Sequence, residues 1–467
     1  MNALAKGEVD VLVVGAGLAG HCAALSAREA GASVLLVEKM ADYGGSSLMS
    51  GASFAFAGTS QQKDQGIEDT PELLREDLLE VGGHKNDPAL VELYVDNQLD
   101  TYGWLKRAGV EFHPVQLSSN MSAARGHPTF PRQVFDVLHP RLAEAGIEYA
   151  AGTAAKALRA DAAGKVRDVE LSVGGEGRKL RVDRGIVLTT GGFARSDDLV
   201  QKFVPDQAPA LRYGGEGSTG DGIRMAWALG ADVADVGYVK ATFGIAMPDF
   251  PGSNRRYDGE RPLLHAMYRG GIIVNREARR FISEANSYKT LGDASLKQPG
   301  ALGFQIFDQN IMDQSIKTPK THDYAGALEL GVLRQADSIA GLAREVGLDP
   351  DTLVETVDRY NASVDAGGDR ELGRMTLAMG VGKLVRLDRA PFYIFPCAPS
   401  LFTTYGGLKV NERLEVVHVE GHALAGLYAA GEVMGGFHGK GYMSGSANGK
   451  CAVFGRISGR NAALSDA

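Results

Sequence analysis

The chain has 467 residues, 44% of them apolar and 23% charged, enough for two or three domains around a sizeable core. Its 49 Lys and Arg against 57 Asp and Glu leave a formal charge of −8, which offers nucleic acid no basic surface. No apolar run is long enough to span a bilayer. Three cysteines (Cys22, Cys397, Cys451) have neither metal-ligand spacing nor the number for a disulfide framework. The opening residues lack an apolar signal core, so the expectation is a reduced cytoplasmic protein with no metal. Glycine is the outlier, 61 residues in clusters and not in a repeat, against a typical share of ~7%.

The first forty residues carry a dinucleotide fingerprint. An apolar strand over Val11 to Val14 runs into Gly15-x-Gly17-x-x-Gly20 and a helical pattern. Gly15 suits a tight turn, Gly17 leaves room for a pyrophosphate, and Gly20 lets the helix pack close to the strand. The helix N-terminus supplies N–H groups and a positive dipole end for phosphates. A second apolar strand ends at Glu38, where a carboxylate accepts ribose hydroxyls and repels a 2′-phosphate.

Gly44-Gly45-Ser46-Ser47-Leu48-Met49-Ser50-Gly51 is too glycine-rich to be regular and suits a loop along a cofactor. Residues 71–110 read as helices, from Pro71 and from Ala89 to Ala108. Short strands with tight turns follow over 145–193, ending in Thr190-Gly191-Gly192. Ser218-Thr219-Gly220-Asp221-Gly222 opens a helix over Ile223 to Leu229, with Thr219 or Asp221 as its cap. Between 240 and 390 the character changes to isolated aromatics, a strand–turn at Gly271 to Asn275, and helices over Ser338 to Val346 and Pro350 to Val364. The boundaries expected are a first body over 1–239, an inserted body over 240–390, and the return of the first over 391–467. The last part carries Tyr405-Gly406-Gly407-Leu408 and a strand ending in Ala429-Ala430-Gly431-Glu432.

With Phe454-Gly455-Arg456 added, this order of motifs resembles the fumarate reductase/succinate dehydrogenase flavoprotein superfamily. The resemblance implies an α/β fold: a Rossmann-like FAD-binding domain with an inserted α+β capping domain, and substrate between cap and flavin. It carries the FAD contacts onto Gly15, Gly17, Ala19, Gly20, Glu38, Lys39, Gly45, Ser46, Ser47, Ser50, Gly51, Thr190, Gly191, Asp221, Gly431, Glu432, Ser446 and Ala447. Glu432 is implied to hold the ribityl chain, and the N–H groups after Gly445 to face the flavin's pyrimidine oxygen. The family's covalent histidine is absent from Ser46-Ser47-Leu48, so the expected FAD is non-covalent.

Three departures redirect the substrate. The positions that hold or protonate a dicarboxylate in fumarate reductases align here with Thr403, Tyr442 and Tyr288, the last in Arg280-Phe281-Ile-Ser-Glu284-Ala-Asn-Ser-Tyr288. A carboxylate clamp needs permanent cations, and tyrosine lacks the charged fork of arginine. Tyrosines there, with Gly441-Tyr442-Met443-Ser444-Gly445-Ser446, resemble the 3-ketosteroid dehydrogenases and related cyclic-ketone desaturases.

The expected function is an FAD-dependent dehydrogenase that forms a C=C bond α,β to a ketone in a cyclic or steroid-like substrate. Tyr442 and the Ser446 N–H polarise the carbonyl, Tyr288 takes the α-proton, and flavin N5 takes the β-hydride, with Ser444 orienting Tyr442 or touching substrate. Arg125, Thr403, Tyr405 and Gly441 complete the substrate set, Arg125 being the anion ligand that keeps acidic ketones open. Tyr442 has the alternative of merely covering the flavin, Tyr288 of packing, and His438 of lining the flavin through its backbone. Tyr102, Trp104 and Cys451 read as core. The alternatives are a tricarballylate-type or other carboxylate dehydrogenase or reductase, and a flavin-containing electron-transfer or binding protein. Partners are a small-molecule ketone and an external acceptor: oxygen, a quinone or a carrier protein. Substrate size falls to cap loops such as 250–268.

Overall fold

The computed structural model describes residues 3–252, 261–317, 319–378 and 380–466, so part of the 250–268 loop lies outside the described residues. The chain divides into two compact units. The first comprises Met1–Pro205, Tyr213–Val239 and Phe402–Ala467; the second comprises Asp206–Arg212 and Lys240–Leu401.

In the first unit, strand Glu8–Val14 lies between two parallel partners, Val34–Val37 and Glu176–Leu188. Val11, Leu12, Val13, Leu35, Leu36 and Val37 are wholly buried, as unbroken apolar runs in a parallel sheet covered on both faces should be. Ala423–Ala429 adds in parallel beyond Glu176–Leu188, so segments some four hundred residues apart share one sheet. Helix Leu18–Glu29 follows the first strand, and helix Ser446–Leu464 packs along it. The expected helices form at Pro71–Val81 and Pro88–Ala108. Thr70 and Asp87 cap their first turns and proline occupies the first helical position, where its missing N–H costs nothing.

The second unit is built on a mostly antiparallel sheet in the order Thr242–Ala246, Phe392–Leu401, Gly303–Phe307, Ile272–Val274. The central strand Phe392–Leu401 is buried at every position. Its place corrects the 390/391 boundary: Phe304 pairs with Pro396 and Ile306 with Ile394, so this strand stays with the second unit. Asp206–Arg212 also leaves the expected first part, because Leu211 and Arg212 pair with Ser400 and Leu401. Among the described residues no helix is long and apolar enough to cross a membrane.

Candidate functional site

In the first unit a cavity of about 380 Å³ opens at the carboxyl ends of the parallel strands, where α/β sheets bind their ligands. Its lining includes Gly15, Gly17, Ala19, Glu38, Lys39, Gly45, Ser46, Ser47, Thr190, Gly191, Asp221 and Glu432, two-thirds of the contacts expected from sequence. Glu38 is fixed by accepting the Ala16 and Met40 N–H groups at 2.8 and 2.9 Å. Lys39 reaches Thr219 and Asp221, both at 2.7 Å. Burial, which favours the neutral acid, is outweighed at Asp221 by the Lys39 and Thr219 hydrogen bonds, and its pKa lies below the ordinary value. Glu432 accepts the Thr404 N–H at 2.8 Å, yet burial pushes its pKa up.

Other expected contacts act differently. A Cβ on Gly20 would stand 1.9 Å from the Gly15 carbonyl oxygen, so this glycine closes the turn against the helix and does not line the cavity. Ser50 donates to the Ser47 carbonyl at 2.8 Å and lies 3.2 Å from Asn448 Nδ2, which tie the loop to itself and to the last helix. Gly51, Gly431, Ser446 and Ala447 also stand outside the lining. The expected caps at Thr219 or Asp221 give way to Gly220 in the left-handed region, and the Thr219 hydroxyl donates to Asp221 instead. Tyr43 and the run Gly215-Glu216-Gly217-Ser218 line the cavity and were missed. Their signal was present: Tyr43 abuts Gly44-Gly45, and Gly214-Gly215-x-Gly217 is another glycine cluster.

The cavity fits a dinucleotide cofactor on its own evidence. Its walls combine glycine turns with a carboxylate after the second strand, and the Thr190 hydroxyl is buried with no hydrogen-bond partner among the described residues. A buried polar group left unpaired is costly, and a ligand at this wall would satisfy it.

Beyond Glu432 the chain forms a tight loop before the last helix. Tyr442 is half-buried and stacks on Tyr405, ring centroids 6.0 Å apart and planes 14° apart. The His438 ring centroid lies 5.6 Å from that of Tyr442 and 5.7 Å from that of Tyr405, closing an aromatic trio. Tyr405, expected as a substrate ligand, is fully buried behind this stack. Gly441 lies against the Val81 carbonyl, where a Cβ would come within 1.9 Å. Gly445 takes φ +83 as the N-cap of Ser446–Leu464. The Ala447 and Asn448 N–H groups come before that helix's first turn-closing bond, Gly449 to Gly445.

Ser446 is corrected as a carbonyl donor. It is wholly buried, and both its N–H and its hydroxyl donate to the Met443 carbonyl, at 3.1 and 2.7 Å. Thr403 gives its hydroxyl to the Thr404 carbonyl at 3.3 Å. Arg125 is corrected as an anion ligand. It is 0% exposed, 3.0 Å from Asp69 Oδ1 through Nη2 and 3.0 Å from Asp77 Oδ2 through Nη1. Two carboxylates neutralise it inside the protein, and burial still drives the Asp69 pKa up against the pull of Arg125. Lys450, which the sequence reading passed over, is also buried; its Nζ donates to the Met434 carbonyl at 2.6 Å, and burial lowers its pKa to about 8.

In the second unit Tyr288 opens helix Tyr288–Leu296 behind the Ser287 cap. It stacks on buried His265, centroids 5.3 Å apart and planes 16° apart, while burial holds that imidazole neutral with a pKa of about 3. The upstream motif is structural: Glu284 receives Arg280 at 2.6 Å and Arg374 at 3.3 Å, all buried.

A flavin fold and a dinucleotide cavity define a class, and comparison with known proteins supplies the family. The FAD binding domain family matches residues 10–447, and the chain belongs to it. It is 32% identical over 427 residues to a fumarate reductase (cytochrome) of Shewanella frigidimarina, covering 90% of this chain and 71% of that protein. The open conformation of a flavocytochrome c3 fumarate reductase superposes with TM-score 0.84 at 30% identity, over 99% of this chain and 79% of the other. The 3-ketosteroid-delta4-(5alpha)-dehydrogenase of Rhodococcus jostii RHA1, in complex with 4-androstene-3,17-dione, superposes with TM-score 0.76 at 25% identity, over 98% and 97%. The protein is an FAD-dependent oxidoreductase acting on CH–CH groups.

Proposed function

We propose that the protein desaturates a cyclic or steroid-like ketone, forming a C=C bond α,β to the carbonyl. The observation that carries this reading is the aromatic trio of Tyr442, Tyr405 and His438, with Tyr442 where a carboxylate clamp would need an arginine, together with the withdrawal of Arg125 into an internal ion pair. A phenol hydroxyl is a neutral donor suited to a ketone oxygen and poorly suited to a carboxylate, whose recognition favours a charged fork. One donor of this kind is worth about 3–4 kcal/mol on the developing oxyanion. In this reading Tyr442 polarises the carbonyl and Tyr288, entering as its phenolate, accepts the α-proton and later releases it to solvent, while the β-carbon loses a hydride. FAD, held non-covalently, supplies the hydride acceptor at N5. Glu38, Lys39, Ser46 and Glu432 hold and orient the cofactor, and Ser444 shapes the Tyr442 loop.

The final acceptor is an external one. Free thiols at Cys22, Cys397 and Cys451 suit a reducing compartment, and we assign the cytoplasm. The test is anaerobic titration of the yellow protein with a 3-ketosteroid, a cyclohexanone, succinate and tricarballylate. Bleaching by a ketone supports the proposal. Bleaching by a carboxylate alone, or reoxidation of the reduced protein by fumarate and by no enone, overturns it in favour of carboxylate chemistry. A flavin that no candidate bleaches points to an electron-transfer protein.

A further inference from the structure

The loop carrying Tyr442 is gripped along its main chain by residues distant in sequence. Asp87 N–H holds the Gly436 carbonyl at 2.6 Å, Asn86 Nδ2 the Phe437 carbonyl at 2.7 Å, and the Gly82 carbonyl the Lys440 N–H at 2.9 Å. Ala55 N–H holds the Gly445 carbonyl at 3.2 Å. Tyr442 itself is bracketed from one segment. Asn120 Nδ2 donates to the Tyr442 carbonyl at 2.7 Å, and the Ser119 carbonyl accepts the Ser444 N–H at 3.1 Å.

That segment is anchored from below. The Ser122 N–H and hydroxyl both donate to Asp77 Oδ2, at 2.9 and 2.7 Å. Arg125 joins Asp77 to Asp69, and Gln62 Nε2 reaches both Asp69 and the Ala124 carbonyl at 2.8 Å. The buried ion cluster that Arg125 centres is therefore the footing of a two-point grip on Tyr442. Asn120 sits at φ +62, a left-handed conformation that asparagine tolerates better than other side-chain-bearing residues, and its amide is the donor.

We propose that Asn120 is a positioning residue for Tyr442, and that Ser119–Arg125 is the clamp that sets the direction of its phenol. This rests on the reading of Tyr442 as the carbonyl donor. Rotation of the peptide after Tyr442 would swing the side chain, and the grips on either side of that peptide resist it. Glycine accepts the same backbone conformation, so Asn120→Gly deletes the amide without straining the chain.

The experiment compares the FAD-loaded wild type, Asn120→Gly, Tyr442→Phe and the double variant. Amide hydrogen exchange is read at Ser444, and kcat with the ketone that bleaches the flavin. Asn120→Gly should retain FAD, speed Ser444 exchange at least about tenfold, and lower kcat about three- to tenfold. In the Tyr442→Phe background it should lower kcat no further, because the amide acts through the phenol. Unchanged exchange at Ser444, unchanged kcat, or an equal loss in both backgrounds overturns the proposal. A Tyr442→Phe variant with full turnover would fail the ketone reading instead, and the exchange result would still decide the clamp.

Discussion

The cofactor cavity and the Tyr442 loop lie in the same unit and are both rich in glycine, yet they are held in opposite ways. The fingerprint corner of the cavity wall is made by short-range geometry: Gly15, Gly20 and Glu38 fall within twenty-four residues, and Glu38 is oriented by Ala16 and Met40. The rest of the wall is drawn from later segments such as Asp221. The loop is held by contacts such as Asn120 to Tyr442, 322 residues apart, and Asn86 to Phe437, 351 apart. A site fixed by adjacent backbone is robust to change elsewhere and depends on a few glycines. A site fixed by distant tethers depends on residues that carry no motif.

The sharpest way to break the first arrangement is Gly20→Ala. The added methyl meets the Gly15 carbonyl at 1.9 Å, backbone that cannot swing aside. The cost should reach or pass the ~3 kcal/mol upper end of overpacking penalties. Flavin absorbance per polypeptide should fall to near zero, and a variant that purifies yellow would show that the turn is looser than this contact implies.

Next in size is Arg125→Met, which strikes the footing of the second arrangement. It leaves Asp69 and Asp77 without their cation, a loss of about 3–5 kcal/mol read from the urea midpoint. Burial already raises the Asp69 pKa, so protonation relieves the variant and its deficit should shrink as pH falls through the carboxylate range. A deficit that is flat with pH would place the damage elsewhere. Tyr442→Phe tests what the footing serves. It should leave FAD content unchanged and lower kcat about 10²- to 10³-fold in a steady-state assay with the ketone substrate.

This contrast also explains what could be read from the sequence. The strand–turn–helix of the fingerprint, the acid at Glu38 and the glycine turns at Thr190 and Gly431 are local patterns, and the sheet and cavity follow from them. The roles given to Arg125 and Ser446 failed for a different reason. Each has the right chemistry in the right neighbourhood, and only the fold reveals that Asp69 and Asp77 surround one and that Met443 takes both donors of the other. Strand Phe392–Leu401 was misplaced because an apolar run states that it is buried without stating which sheet buries it.

The smallest effect expected comes from the Lys39–Asp221 pair at the cavity wall, and it separates local from distant support most finely. Their side chains are 27% and 41% exposed, so the ion pair is screened, and Lys39→Met should cost no more than about 1 kcal/mol by thermal melting. Its pH dependence has a definite sign. Asp221 is more acidic in the fold than unfolded, because the Lys39 and Thr219 hydrogen bonds outweigh burial. Its contribution is therefore fully present above the unfolded carboxylate pKa of ~3.9 and fades as pH drops through the lower folded value. Wild type and Lys39→Met should differ slightly at neutral pH and converge in acid. A gap that persists in acid, or one as large as that of Arg125→Met, would mean that the cavity wall also depends on its charges, and the contrast with the Tyr442 loop would not stand.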